Sequence, residues 1–127
     1  MEKFVIEGGK PLSGTITPSG SKNEALPCLA ATLMTDEAVT LRNVPRIADV
    51  EVMLAVIEAL GGRFEWLDDN VVEVQTSNVD TTSLDEELCK KVRASILFAG
   101  AMLAREGECE LPPPGGDVIG RRRLDSH

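Results

Sequence analysis

An α/β layered fold is predicted for this 127-residue chain, on three observations. Short β-branched runs alternate with stretches of helical period, in the order strand, strand, helix, strand, helix, strand, strand, helix, strand. That alternation stacks helices against sheet. Two helical stretches open with Ser-x-x-Glu, at Ser21 to Glu24 and Ser83 to Glu86, the sequence form of a capping box. An apolar content of 43% suffices for one core of domain size.

Residues 3–7, Lys-Phe-Val-Ile-Glu, read as a strand ended by a Gly-Gly-Lys-Pro turn. Residues 13–18 carry Thr15-Ile16-Thr17 and read as a second. A helix is expected from Lys22 to about Met34, with Pro27 crowding its first turns. Residues 38–43 form the next strand, broken by Pro45. Asp49 is a suitable N-cap for a helix reaching Leu60, along which Val50, Met53, Leu54 and Ile57 recur at helical spacing. Gly61-Gly62 should end it. Residues 63–67 and 71–76 predict a hairpin around Asp68-Asp69-Asn70, with Phe64 and Trp66 on one face. After a polar loop, a single long helix is expected from Ser83 to about Arg105. It carries no charge from Ala94 to Ala104 and should be buried on most sides there. Leu88, Val92, Ile96, Ala99 and Leu103 would make one stripe of it. Arg93 stands where its charged half meets its apolar half, able to point a guanidinium into a cleft or simply to reach solvent. Residues 106–111 complete the pattern as a short strand.

The net charge of −8 argues against non-specific nucleic-acid binding, and no run is long and apolar enough to span a membrane. The charge is uneven. Residues 36–87 carry a net −10, residues 88–127 a net +2, so an anionic ligand is drawn to the ends of the chain. Cys28, Cys89 and Cys109 include no Cys-x-x-Cys, and Cys28 and Cys89 fall in apolar helical patterns as expected core thiols. The one histidine, His127, leaves no material for a Ser/His/Asp triad or a histidine-rich metal site. No signal peptide opens the chain, and a soluble cytoplasmic protein is the expectation.

Two segments could carry chemistry. Gly20 and Ser21 lead into a helix N-terminus with Lys22 beside it, a possible anion site or a plain cap with an exposed lysine. Residues 112–125 run from three prolines through Gly115-Gly116 to a single acid, Asp117, and then to Arg121-Arg122-Arg123. Such a loop can bring a proton donor to a bound anion, or be a turn with a solvated basic run.

Together these segments carry a resemblance. Ser19-Gly20-Ser21-Lys22-Asn23-Glu24-Ala25-Leu26-Pro27 resembles the SGxKNxALP signature of the enolpyruvyltransferases. Val92-Arg93-Ala94-Ser95-Ile96 resembles the family's MRAS segment, and Pro114-Gly115-Gly116-Asp117-Val118-Ile119-Gly120 its PGGCxIG loop. The likeness runs over nearly the whole chain and is to the branch of the family that acts on UDP-N-acetylglucosamine. It implies part of an inside-out α/β barrel built from β-α-β-α-β-β units. Residues 1–20 would belong to the second domain of a longer fold, and residues 21–127 to an incomplete first domain, so the remainder of the fold would be missing. The implied reaction transfers the enolpyruvyl group of phosphoenolpyruvate to the 3′-hydroxyl of UDP-N-acetylglucosamine and releases phosphate, at the start of peptidoglycan synthesis, with no cofactor or metal ion. Lys22 and Asn23 would hold phosphoenolpyruvate, and Arg93 would contact the sugar nucleotide and the anionic site. Asp117 would donate the proton, in the place where the family more often has cysteine. Arg122, Arg123, Leu124, Asp125 and Ser126 would meet the uridine nucleotide. The alternatives are a relative that makes the same transfer to a shikimate phosphate, and a non-catalytic anion-binding module or inactive fragment.

Overall fold

A computed structural model describes residues 3–116. Its elements are the helix α1 (Lys22–Ala31), continued by a 3₁₀ turn at Thr32–Met34, the strand β1 (Val39–Arg42), α2 (Ala48–Ala59), the hairpin β2 (Arg63–Asp68) and β3 (Val71–Gln75), the short α3 (Glu86–Cys89), a 3₁₀ turn at Arg93–Ile96, and α4 (Leu97–Glu106).

The strands form one antiparallel sheet of order β1-β3-β2. Its register stacks Val39, Val74 and Phe64 in one row and Leu41, Val72 and Trp66 in the next. Period-two alternation turns these rows to the helices, so Val72 and Val74 are fully buried while Phe64 and Trp66 are half-buried. The Arg46 guanidinium lies 4.9 Å from the centre of the Trp66 ring. Between sheet and helices lies the core, with Leu29 and Leu33 from the first helical segment, Val50, Met53, Leu54 and Ile57 from α2, and Phe98 and Met102 from α4. The α2 residues are those picked out by periodicity, and Gly61, at φ +105°, ends the helix where expected.

Several expectations are corrected. The strands at 3–7 and 13–18 are absent. A strand needs a neighbour for its ladder, and none of the three described strands pairs with this segment, so Phe4, Ile6, Leu12 and Ile16 stand exposed. Ser21 precedes α1 but its hydroxyl caps nothing; its carbonyl accepts from Glu24 N and Ala25 N instead. At α2 the cap position is Ile47, and Asp49 falls in the first turn. At α3 the cap is Asp85, whose carboxylate accepts from Leu88 N at 2.8 Å, while Ser83 forms an isolated parallel bridge with Glu110. That bridge, with Leu84 N donating to Glu110 O and Glu110 N to Thr82 O, replaces the expected final strand. Cys28 is exposed, because it lies on the face of α1 turned from the core; Cys89 is buried as expected.

The predicted long helix is broken. Val92 takes extended angles, φ −139° and ψ 129°, between α3 and the 3₁₀ turn. In a continuous helix the carbonyls of Cys89 and Lys90 would accept from the amides of residues 93 and 94. Here they accept from Gly115 N at 2.9 Å and Gly116 N at 3.3 Å. The Ser95 hydroxyl, itself buried, donates to Val92 O at 2.9 Å and secures the new turn. The expected stripe therefore does not form. Ser95, Phe98, Ala101 and Met102 are buried, whereas Leu97 and Leu103 are exposed.

Arg105 ties α4 to the 3₁₀ turn at Thr32–Met34, to Asp36 just beyond it and to the loop after β3. Its guanidinium donates to Leu33 O at 2.8 Å, Ser77 O at 3.2 Å and Asp36 Oδ1 at 2.6 Å, and the side chain is only 15% exposed. Charged hydrogen bonds of this kind contribute about 1.5–3 kcal/mol, and Arg105→Ala leaves three backbone carbonyls, those of Leu33, Thr35 and Ser77, without them. We expect Arg105→Ala to destabilise the protein by about that amount in urea titration; an unchanged midpoint would show the network to be ornamental.

The thiols give a second check. Burial pushes Cys89 and Cys109 above the ordinary thiol range, with the neighbouring Cys89 adding to the effect at Cys109. Only thiolate is alkylated readily. At mildly alkaline pH exposed Cys28 should be modified by iodoacetamide well before the other two, which should catch up only as pH rises. Equal rates in peptide mass spectrometry would contradict this arrangement.

Candidate anion-binding site

The first turn of α1 presents Lys22 and Asn23, and α1 packs against α2. Asp49, in the first turn of α2, faces them: Lys22 Nζ donates to Asp49 Oδ2 at 2.8 Å. The third contributor is Arg93, which opens the 3₁₀ turn after the break. Lys22, Asn23, Asp49 and Arg93 line one cleft of about 290 Å³, walled by Leu26, Val92, Ala94, Ile96 and Leu97. Arg93 is half-buried, so packing helps to hold its position.

The break in the helix is what brings Arg93 here. The loop beginning at the prolines supports that break from behind, through Gly115 and Gly116. The approach is close: a Cβ on Gly115 would stand 1.5 Å from Lys90 O, and one on Gly116 would meet Arg93 Cβ at 3.1 Å. No other residue fits at 115 without moving the turn.

Two cations against one carboxylate, a primary amide and the N-terminal end of a ten-residue helix meet at an apolar-walled cleft, so positive charge is in excess there. That combination suits a phosphate or carboxylate, which gains charged hydrogen bonds and the partial positive charge of the helix end. A larger cleft, of about 350 Å³, lies against another face of α1, with Glu24 and Cys28 opposite Arg42 and Asn43. It sets one anion against one cation and so concentrates no field for an anion.

Of the residues singled out in the sequence, Lys22, Asn23 and Arg93 are thus brought together. Asp117, Arg122, Arg123, Leu124, Asp125 and Ser126 lie outside the described residues. Asp49 was missed as a member of the cleft, since its sequence position marks it as a helix cap. No periodicity links it to Lys22, 27 residues earlier. Among the described residues no group of three or more His, Cys, Asp or Glu is placed to hold a metal ion, and no helix is long and apolar enough to cross a membrane.

Comparison with known proteins gives a consistent picture. The family profile of EPSP synthase (3-phosphoshikimate 1-carboxyvinyltransferase) matches residues 6–127. The chain is 56% identical over 127 residues to a UDP-N-acetylglucosamine 1-carboxyvinyltransferase of Treponema denticola, covering 100% of this chain and 30% of that protein. It is 54% identical over 125 residues to the Bradyrhizobium diazoefficiens protein of the same name, covering 98% of this chain and 29% of that one. Among solved structures, the enolpyruvyl transferase NikO from Streptomyces tendae superposes with a TM-score of 0.68 at 26% identity, over 79% of this chain and 23% of NikO. The chain therefore spans about 30% of the length of the curated relatives it matches.

Proposed function

The chain belongs to the EPSP synthase family and its fold is part of an inside-out α/β barrel of the enolpyruvyltransferase type, and from that membership we propose that the protein transfers the enolpyruvyl group of phosphoenolpyruvate to the 3′-hydroxyl of UDP-N-acetylglucosamine, releasing phosphate. The reading makes it an enzyme of peptidoglycan synthesis acting in the cytoplasm. What carries the proposal is the meeting of Lys22, Asn23 and Arg93 in one cleft, from segments far apart in the chain. The identity of 56% to a relative named for this transfer supports the choice of acceptor.

In this reading residues 21–127 are an incomplete first domain and residues 1–20 belong to the second. The exposure of Phe4, Ile6, Leu12 and Ile16, with no strand to pair with, fits that division. Lys22 and Asn23 hold phosphoenolpyruvate, and Arg93 faces both its charge and the sugar nucleotide. Asp117 gives a proton to the methylene carbon of phosphoenolpyruvate. The neighbouring carbon becomes electrophilic and takes the sugar hydroxyl, which loses its proton. Phosphate then departs with the C–O bond pair, and a proton lost from the new methyl group restores the double bond. Residues Arg122, Arg123, Leu124, Asp125 and Ser126 meet the uridine nucleotide. The protein's part is therefore charge stabilisation and proton transfer by its own side chains.

A second reading follows from the family's description, in which the acceptor is a shikimate phosphate. Calorimetry on the full-length protein separates the two. Binding of UDP-N-acetylglucosamine without binding of shikimate 3-phosphate is expected; the reverse pattern would replace the acceptor.

A further inference from the structure

We propose that Asp49 is a positioning residue, which holds the Lys22 ammonium in the cleft where the phosphate or carboxylate of phosphoenolpyruvate is received. The proposal rests on the functional reading of Lys22 given above. Three observations lead to it. The carboxylate accepts from Lys22 Nζ at 2.8 Å, across the junction of α1 and α2. Asp49 also lines the same cleft as Lys22, Asn23 and Arg93. And Asp49 does not do the work its sequence context suggests, since Ile47 holds the cap position of α2 and no side chain caps it.

Stability alone does not account for the pair. Lys22 and Asp49 side chains are 49% and 35% exposed, and ion pairs open to solvent contribute little to folding. Orientation is a different matter. A lysine side chain is a long flexible stem with a point charge at its end, and it loses rotamer freedom whenever it is fixed. A carboxylate anchored on a second helix fixes the ammonium before substrate arrives, so less ordering remains to be done on binding. The competing account is that Asp49 only complements the positive end of α2, where Glu51 stands as well.

The two accounts predict opposite signs. Removing a carboxylate from an anion site should, by charge alone, strengthen anion binding. Removing the anchor of Lys22 should weaken it. The test is steady-state kinetics of the full-length protein carrying Asp49→Asn, Lys22→Ala and both changes, with a thermal melt of each. For Asp49→Asn we expect KM for phosphoenolpyruvate to rise about tenfold, the size of one charged hydrogen bond lost. KM for UDP-N-acetylglucosamine and the melting temperature should be nearly unchanged, and Asp49→Glu should recover part of the loss. On the Lys22→Ala background Asp49→Asn should cost nothing more, because it acts through Lys22. An unchanged or lowered KM for phosphoenolpyruvate in Asp49→Asn, or losses that multiply in the double variant, would overturn the proposal while leaving the role of Lys22 intact. Wild-type turnover by Lys22→Ala would overturn the role of Lys22 and that of Asp49 with it.

Discussion

Asp117→Asn is expected to leave the full-length protein folded and to lower turnover by about 10²–10⁴-fold, the usual contribution of a positioned general acid. The amide keeps the shape of the side chain and loses the proton. A free aspartate has a pKa near 3.9 and would be ionised at neutral pH, so the proposed role requires a raised value in the working complex. In the proposed mechanism, closure of the loop over a doubly charged substrate would raise it, by desolvation and by repulsion between like charges. Arg121, Arg122 and Arg123 follow closely in the chain, and any of them folded near Asp117 would oppose that rise. The balance should show in the pH profile of kcat, where activity falls as pH climbs through the pKa of Asp117 in the complex. Asp117→Cys should retain activity, since a thiol there is also a proton donor. It should also be inactivated by the thiol-directed epoxide fosfomycin in a time-dependent way that the aspartate form resists. Equal inactivation of both forms would show that Asp117 is not the loop acid.

Lys22→Ala should lower kcat/KM roughly tenfold or more, the cost of losing a charged hydrogen bond to the substrate, and should barely alter stability. The separation of the two effects is the informative part. Lys22 is half exposed and its ion pair with Asp49 is of the kind that contributes about 0–1 kcal/mol to folding. A melting curve like that of the wild type, together with slow turnover, is the expected pair of results. Near-normal turnover would remove Lys22 from the site.

Much of this architecture is legible in the sequence wherever local periodicity and tertiary packing agree. Helix α2 is one case: Val50, Met53, Leu54 and Ile57 recur at helical spacing and are all buried. The β2–β3 hairpin is another, since Phe64 and Trp66 alternate toward the core as a strand requires. The segments that mislead are those decided by distant partners. Nothing between residues 83 and 105 signals a break, because the groups that cause it, the amides of Gly115 and Gly116, arrive from the following loop. Yet that break is what turns Arg93 into the cleft. Strand-like residues 3–7 show the converse, a strong local preference with no ladder in the described structure to satisfy it. Cys28 and Asp49 were misplaced because local composition does not say what faces a position: α1 lies against Asp49, and nothing among the described residues covers Cys28.

The central claim is tested most directly by phosphate release from the full-length protein, followed together with product mass. With phosphoenolpyruvate and UDP-N-acetylglucosamine both present, one phosphate should appear for each enolpyruvyl-UDP-N-acetylglucosamine formed, and omission of either substrate should abolish both signals. Phosphate release that proceeds without the sugar nucleotide, or transfer to shikimate 3-phosphate in its place, would contradict the account.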